Sequence, residues 1–323
     1  MKTALVTSLG SVAGDIVIKN LKKMGFRVIG CDIYPKAWNV DASSVDVFYQ
    51  SPLAADIPNY CSFIKDVCSR ESVQYILPLT DVDVDVLNDH RSLLTDIGVT
   101  LCVSPASAIS IIRNKKRLSD FIEKNCNYIT TIPTLFLKDI SHLPWQFPVV
   151  CKPFNGRSSQ GRVYIHNQTE WQAFVSAADP EKYIAQPFVD GSVVVVEVIR
   201  PSDGRGSVSM AREELIRTPH GCGTTVKLFS DAVLENNSRQ LADALGVTGC
   251  VNFEFIKGND GQYHFIECNA RFSAGVEFLC LAGYDYIKNH MRCFEGADID
   301  RPIVTKPMII ARKYEEYITY IAD

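Results

Sequence analysis

The sequence predicts an α/β protein in which a parallel sheet over residues 1–105 precedes an α+β region built on antiparallel hairpins. Apolar strands alternate with helices through the first part of the chain, which implies a parallel sheet with right-handed crossovers. Further on, apolar strands face each other across short turns such as Asp260-Gly261, a strong hairpin signal. The length of 323 residues is long for one core and points to two or three domains or subdomains.

Thr3–Ser8 reads as the first apolar strand, and Gly10-Ser11-Val12-Ala13-Gly14 turns the chain. Asp15–Met24 follows as a helix with Ile16, Leu21 and Met24 available for one buried side, and Gly25 stops it. Arg27–Asp32 is the next strand, Cys61–Arg70 a helix, Tyr75–Leu79 a strand ending at Thr80-Asp81, and Thr100–Val103 a fourth short strand. Ligands on such sheets sit at the carboxyl ends of the strands, so Ser8–Gly14, Asp32 and Thr80-Asp81 are expected at one crevice. Gly10-x-x-x-Gly14 is not the dinucleotide fingerprint, although Asp32 fits the place of a ribose-binding acid.

Pro105 and a helix over Ala106–Arg113 mark a boundary, and Lys115–Asn125 is a second helix with Leu118, Phe121 and Ile122 as its buried stripe. The run Asn114-Lys115-Lys116-Arg117 reads on its own as a solvated face. Pro148–Pro153 is an apolar strand interrupted by Lys152, which is costly to bury unless it meets an anion. The segment Phe154–Arg162 follows, containing Gly156, Ser158, Ser159 and Gly161, and then the strand Val163–His166. Small residues with free N–H groups between two strands suit a cover over phosphates, although the strand-to-helix order of a P-loop is absent. Lys182–Gly191 reads as a strand entering a tight turn, and Pro187 argues against a fully hydrogen-bonded central strand there. Beside Phe188 and Val189 the unpaired backbone suits an adenine edge, or simply ends a hydrophobic strand.

The most informative stretch is a hairpin with strands over Cys250–Ile256 and Gln262–Cys268. Glu254 and Glu267 lie in strands that pair, each flanked by Phe or Ile. Two carboxylates in an apolar wall repel unless a cation holds them. Such oxygen ligands suit Mg²⁺, which takes one or two carboxylates plus substrate phosphates. Asn269 and Arg271 follow Glu267 at every second position, on the same face of an extended chain. The competing reading is a surface hairpin with both acids in water.

Composition narrows the classes. Hydrophobic residues make up 46% of the chain, enough for a substantial interior. A net charge of −4 argues against a broad nucleic-acid-binding surface. No apolar run reaches membrane-spanning length, and the short apolar start at Met1–Thr7 leads into a strand, so neither a membrane span nor a signal peptide is expected. The 11 cysteines contain no Cys-x-x-Cys pair, which fits reduced thiols and a cytoplasmic setting.

Taken in order, these segments resemble the ATP-grasp superfamily, in its carbamoyl-phosphate-synthetase-like, biotin-carboxylase-like and carboxylate–amine ligase forms. The resemblance rests on Gly249–Glu254, Asp260-Gly261 and Ile266–Arg271, an acid, a turn, and then Glu-x-Asn-x-Arg. It implies a Rossmann-like domain preceding the ATP-grasp domain over residues 1–105. It implies a two-lobed ATP-grasp fold over 106–323, its small lobe at about 126–190. It implies ATP as cofactor with Mg²⁺, or Mn²⁺ in its place, held by Glu254, Glu267 and Asn269. Lys115 and Lys152 match phosphate-binding lysines, and Gly156–Gly161, with Ser158 and Ser159, matches the glycine loop. Gln186, Pro187, Phe188 and Val189 match the adenine hinge, with Ile256 under the ring. Arg271 matches the arginine that steadies the transferred phosphoryl group or the acyl substrate. The chain departs from the pattern where Pro187 stands in place of an acid and Ser192–Val196 offers no ribose-binding carboxylate before Glu197.

The implied activity is ATP-dependent ligation, in which a small carboxylate is activated as an acyl phosphate and passed to an amine or similar nucleophile. Relatives often dimerise, so a homodimer is an expectation too. In the region that faces the reacting groups in relatives, Arg217 (counted with Arg271 and Lys152 as catalytic), Arg212, Glu213-Glu214, His220, Cys222 and Ser273-Ala274-Gly275 are candidates that the sequence alone also leaves open as ordinary surface or loop residues, the commoner reading for His220 and Cys222. Two other readings stay open: a nicotinamide-dependent oxidoreductase using Gly10–Gly14 and Asp32, and an ATP-binding module without catalysis.

Overall fold

The computed structural model describes residues 1–157, 159–303 and 306–321. The first sheet is parallel with strand order β3-β2-β1-β4-β5. Its strands are β1 (Thr3–Thr7), β2 (Arg27–Asp32), β3 (Val47–Gln50), β4 (Tyr75–Pro78) and β5 (Thr100–Leu101). Between them run α1 (Gly14–Lys23), α2 (Ile57–Glu71), α3 (Asp81–Asp89) and α4 (Arg91–Thr95). Both faces are covered. Ala4, Val6 and Val28 pack with Ile16, Val17 and Leu21 of α1. Leu5, Ile29 and Ile76 pack on the other side with Ile64 and Val67 of α2. This is why these strands read as continuous apolar runs.

The helices α5 (Ala106–Ile112) and α6 (Lys115–Asn125) lead out of this layer. The side chain of Asn114 caps α6 by accepting from the Arg117 N–H at 3.0 Å. The short strand β6 (Thr130–Thr131) comes next. A small antiparallel sheet follows, ordered β7-β10-β8-β9 from β7 (Leu135–Phe136), β8 (Val149–Pro153), β9 (Val163–Ile165) and β10 (Tyr183–Pro187), with α7 (Gln168–Ala177) on it. Pro187 falls on the last residue of β10, so its missing N–H breaks no interior ladder bond.

The largest sheet has seven strands in the order β16-β13-β12-β11-β14-β15-β6. Its long strands are β11 (Gly191–Arg200), β12 (Val208–Arg217), β13 (Gly223–Phe229), β14 (Gly249–Gly258) and β15 (Tyr263–Asn269). The helix α8 (Ala232–Leu245) lies before β14, while α9 (Val276–Leu281), α10 (Tyr286–Glu295) and β16 (Met308–Ala311) complete the chain. Each of the two main cores contains residues of both the parallel sheet and the large sheet. The Ser104 hydroxyl ties the layers by donating to Thr248 O at 3.0 Å. Among the described residues, no helix is long and apolar enough to cross a membrane.

Some boundaries differ from the sequence reading. The α2 helix begins four residues earlier than Cys61, because Asp56 precedes a first turn in which Pro58 is tolerated. The alternating stretch Asp81–Asp89 has a strand-like pattern, yet the Thr80 hydroxyl caps it as a helix by accepting from the Asp83 N–H at 3.4 Å.

Candidate active site

The site is built around the β14–β15 hairpin. Glu254 stands opposite Glu267, and Asn252 opposite Asn269. Phe253 and Phe255 take the other face, where both rings meet Phe265 at 6.2 and 5.5 Å between centroids. That apolar anchoring leaves the acids on a single opposite face. The register then shifts, so that Phe255 pairs with Phe265 and Ile266 is left as a bulge residue.

The electrostatics of the pair are unequal. Burial, and then the charge of Glu267, push the Glu254 carboxyl up to about 7. Burial also opposes the charge on Glu267, but Lys115 and Lys152 outweigh it and hold that carboxyl below its ordinary value. Lys115 Nζ stands 3.3 Å from Glu267 and donates to Gly156 O at 2.7 Å. Asn269 Nδ2 donates to Asn252 Oδ1 at 3.1 Å and to Glu254 Oε1 at 3.3 Å, which turns its carbonyl oxygen the other way. Two hard carboxylate donors in register, one of them destabilised as an anion, with an amide oxygen beside them, form a donor set that fits Mg²⁺.

On one side of the pair lies a cavity of about 220 Å³, lined by Lys115, Lys152, Gly156, Ser159, Val189 and Ile256. Phe188 also reaches it, edge-on to Tyr164. Lys152 is only 9% exposed, and burial lowers its ammonium to about 8 despite the nearby Glu267. The cavity is therefore cationic at one end and apolar at the other. Gln186 does not line it: that side chain is buried and donates to Thr134 Oγ1 at 2.7 Å. Pro187, at the end of β10, and Gly161, which is exposed, are likewise absent from the wall. Ser158 lies outside the described residues.

The sequence reading missed Arg157, Gln160, Arg162, Asp190 and Ile266, which all line this cavity. Asp190 is the acid nearest to the one sought between the hinge and Glu197. The dipeptide Asp190-Gly191 was visible as a turn, and the turn hid the carboxylate. Glu197 itself faces elsewhere: it is fully buried against Arg212 (3.1 Å) and Ser273.

On the other side of the acids lies a cavity of about 600 Å³. Glu254, Glu267, Arg217, Arg157 and Ser159 border both cavities. Arg217 Nη2 is 3.6 Å from Glu254, and its Nε is 2.6 Å from Glu214. Arg271 lines the larger cavity and pairs at 2.8 Å with Asp81, at the start of α3 in the parallel layer. Asp81 also has Arg113 at 3.7 Å. The Asp81 carboxyl is buried yet held below its ordinary value, chiefly by Arg271. Arg212 is 1% exposed and bridges Glu197, Glu214 and Ser273. The acid Glu197 inside the apolar run Val193–Ile199 is the signal from which a buried cation could have been inferred. His220 and Cys222 border the same cavity. The Ser273 hydroxyl is engaged within the chain and accepts from the Gly275 N–H at 3.1 Å, so that N–H is not free for a ligand.

Ser8 and Thr80-Asp81 reach the larger cavity as expected, but Asp32 does not. Its oxygens accept from the N–H groups of Gly10 (2.8 Å) and Tyr34 (3.1 Å). A Cβ at Gly14 would come within 2.0 Å of Leu9 O, so this turn is closed by backbone approach. The geometry gives the Gly10–Gly14 turn a structural role and leaves Asp32 no free oxygen directed at a ribose.

Comparison with known proteins follows the same division. Residues 179–316 match the family model described as ATP-grasp in the biosynthetic pathway with Ter operon, and residues 4–102 match that of the PylC-like N-terminal domain. Among solved structures, the chain is similar to the biotin carboxylase domain dimer of 2-oxoglutarate carboxylase from Hydrogenobacter thermophilus. That domain was crystallised with magnesium ADP, ADP and bicarbonate (TM-score 0.72, 16% identity, 92% of this chain and 70% of that one). It is similar to L-amino acid ligase from Bacillus licheniformis (TM-score 0.70, 16% identity, 95% and 75% coverage). It is also similar to N5-carboxyaminoimidazole synthetase from Staphylococcus aureus (TM-score 0.74, 14% identity, 95% and 81% coverage). At these identities the likeness is one of fold.

Proposed function

We propose, on the premise that this chain belongs to the ATP-grasp superfamily, that it is an ATP-dependent ligase that activates a carboxylate and joins it to an amine. The observation that carries the proposal is the in-register pair Glu254–Glu267 at the junction of a lysine-lined cavity and an arginine-lined one. The smaller cavity suits the nucleoside end of ATP, with its adenine against Phe188, Val189 and Ile256 and its phosphates running past Lys115 and Lys152 toward the paired acids. Asp190 stands where a ribose hydroxyl would find an acceptor. Glu254, Glu267 and Asn269 are the residues that would hold Mg²⁺, with Mn²⁺ as a substitute. Bound there, the ion would neutralise phosphate charge during transfer.

In the first step an oxygen of the acid attacks the γ-phosphorus, the bond to the β-phosphate oxygen breaks, and ADP leaves. Arg271 and Arg217 hold the acid and offset the charge on the transferred group. In the second step a neutral amine attacks the acyl carbon, phosphate departs with the electrons of the broken C–O bond, and the proton lost by the amine nitrogen goes to the departing phosphate. The segment Gly156–Gly161 is suited to cover the phosphates and exclude water, which would otherwise hydrolyse the acyl phosphate. The substrates are small molecules. A homodimer is the assembly we expect, because the Hydrogenobacter thermophilus domain is a dimer.

The test is ADP release with Mg–ATP and pools of carboxylic acids crossed with amines and ammonia, with products identified by mass. Release that depends on both an acid and Mg²⁺ supports the reading. Tight NADH binding without Mg–ATP binding would remove it.

A further inference from the structure

The larger cavity is far bigger than the reacting groups need, and its excess volume has a direction. From the acids it passes Arg271 and Asp81 and continues along the carboxyl ends of the parallel strands. Leu79 and Thr80 follow β4, Ser8 to Ala13 follow β1, Ile33 follows β2, and Ser51 to Ala55 follow β3. The sheet order places β3 three strand spacings from β4, which is about 14 Å. That far end is lined mainly by apolar side chains, with Ser11 and Ser51 among them. Val12, Ile33 and Leu53 are 48%, 38% and 59% exposed, yet they converge on this one cavity, whereas large exposed apolar residues elsewhere need no common target. The Ser11 hydroxyl, on the same wall, has no hydrogen-bond partner among the described residues.

The charges that the parallel layer brings to this cavity are already satisfied. Among the described residues, the parallel layer contributes only Asp81 and Asp83 as charged groups to this cavity. Asp81 is held by Arg271 and Arg113. Asp83 accepts from Thr7 (2.9 Å), Ser8 (2.5 Å), Thr80 (2.8 Å) and Tyr60 (2.7 Å). Neither carboxylate is left to meet an ammonium group on a ligand.

We infer that the acid substrate is an elongated carboxylic acid with an uncharged, largely apolar body on the order of 10 Å long, rather than bicarbonate or a diamino acid. Its carboxylate lies under Arg271 and Arg217, and its body crosses the strand ends to the wall of Val12, Ile33 and Leu53. This deepens the ligase proposal and rests on it.

Hydroxylamine tests the inference without knowledge of the amine, because it captures an acyl phosphate as a hydroxamate and releases phosphate. The chain is incubated with Mg–ATP, hydroxylamine and a series from acetate through butanoate and hexanoate to octanoate. Lysine, ornithine and bicarbonate are run beside them, with ADP and product both measured. The expected result is a kcat/KM that rises about fourfold for each added methylene and exceeds that for lysine, ornithine and bicarbonate at least tenfold at octanoate. Leu53→Asp should lower the octanoate value at least tenfold while the Kd for Mg–ATP stays unchanged; Leu53 is exposed enough for the change to be tolerated by the fold. ADP formation that is independent of chain length, or that favours bicarbonate or a diamino acid, overturns this inference and leaves the ligase reading standing. No ADP from any acid, with Mg–ATP bound, overturns both.

Discussion

Glu254 and Glu267 are chemically identical but electrostatically different, and that difference predicts behaviour. Burial and the neighbouring charge raise Glu254 to about 7, so the folded apo chain keeps this proton where an unfolded chain has lost it. The sign follows from linkage: this group's contribution to stability is present at low pH and is lost as pH rises from the ordinary carboxylate range through about 7. Divalent-ion binding must expel the same proton. The affinity for Mg–nucleotide should therefore fall about tenfold per pH unit below 7, with proton release visible when calorimetry is repeated in buffers of different ionisation heat. A flat affinity between pH 5.5 and 7.5 would remove the assignment. Glu267→Gln should reduce acid-dependent ADP release by at least about a hundredfold, and because it also strips Lys115 and the buried Lys152 of their counter-charge it should lower folding stability by up to about 3 kcal/mol. Lys152, Glu254 and Glu267 were legible because a charge inside an apolar strand demands a partner. Asp190 was not, because it read only as part of a turn; Asp81 and Arg212 were placed near the site, but their pairing with Arg271 and Glu197 was not legible, because those partners lie in other segments that no local pattern identifies.

The hairpin's authority comes from the strand beside it. Gly191, the first residue of β11, sits opposite Gly258, and a Cβ there would meet Lys257 O at 2.1 Å. Gly191→Ala should push β11 off β14 and cost about 1–3 kcal/mol in denaturant melts, with weakened nucleotide binding. A smaller change in both would indicate that the strands separate freely. The segment between β8 and β9 makes a different prediction. Arg157 and Arg162 are exposed and line the smaller cavity. Tryptic cleavage after them should slow at least about tenfold when a nonhydrolysable ATP analogue and Mg²⁺ are added, as gel and mass analysis of the fragments would report. Strands and helices with one-sided burial were readable from their period. The α3 helix was not, because its alternating Asp and Val residues mimic a strand and only the Thr80 cap reveals the turn.

The parallel sheet and the large sheet are joined through charges as well as through cores. The Arg271–Asp81 pair connects the end of the β14–β15 hairpin to the parallel layer, and Arg113 flanks it. Asp81→Asn should leave Arg271 without its counter-charge, lowering stability by about 3 kcal/mol and raising the KM for the acid more than that for ATP. Equal effects on both constants would argue for a purely structural pair. The order of layers was legible from the alternation of strands and helices, but not the way one layer supplies a wall to the other's cavity. That wall depends on which loops converge at the sheet's carboxyl edge.

The same ion pair constrains how such a chain can be recombined. A chimaera that grafts a foreign amino-terminal segment onto this hairpin would inherit an arginine with no acid to meet it, unless the donor carries a carboxylate at the position of Asp81. Exchange of substrate preference between homologues by swapping that segment should then succeed only for donors that preserve this acid. The two halves are consequently bound to diverge together.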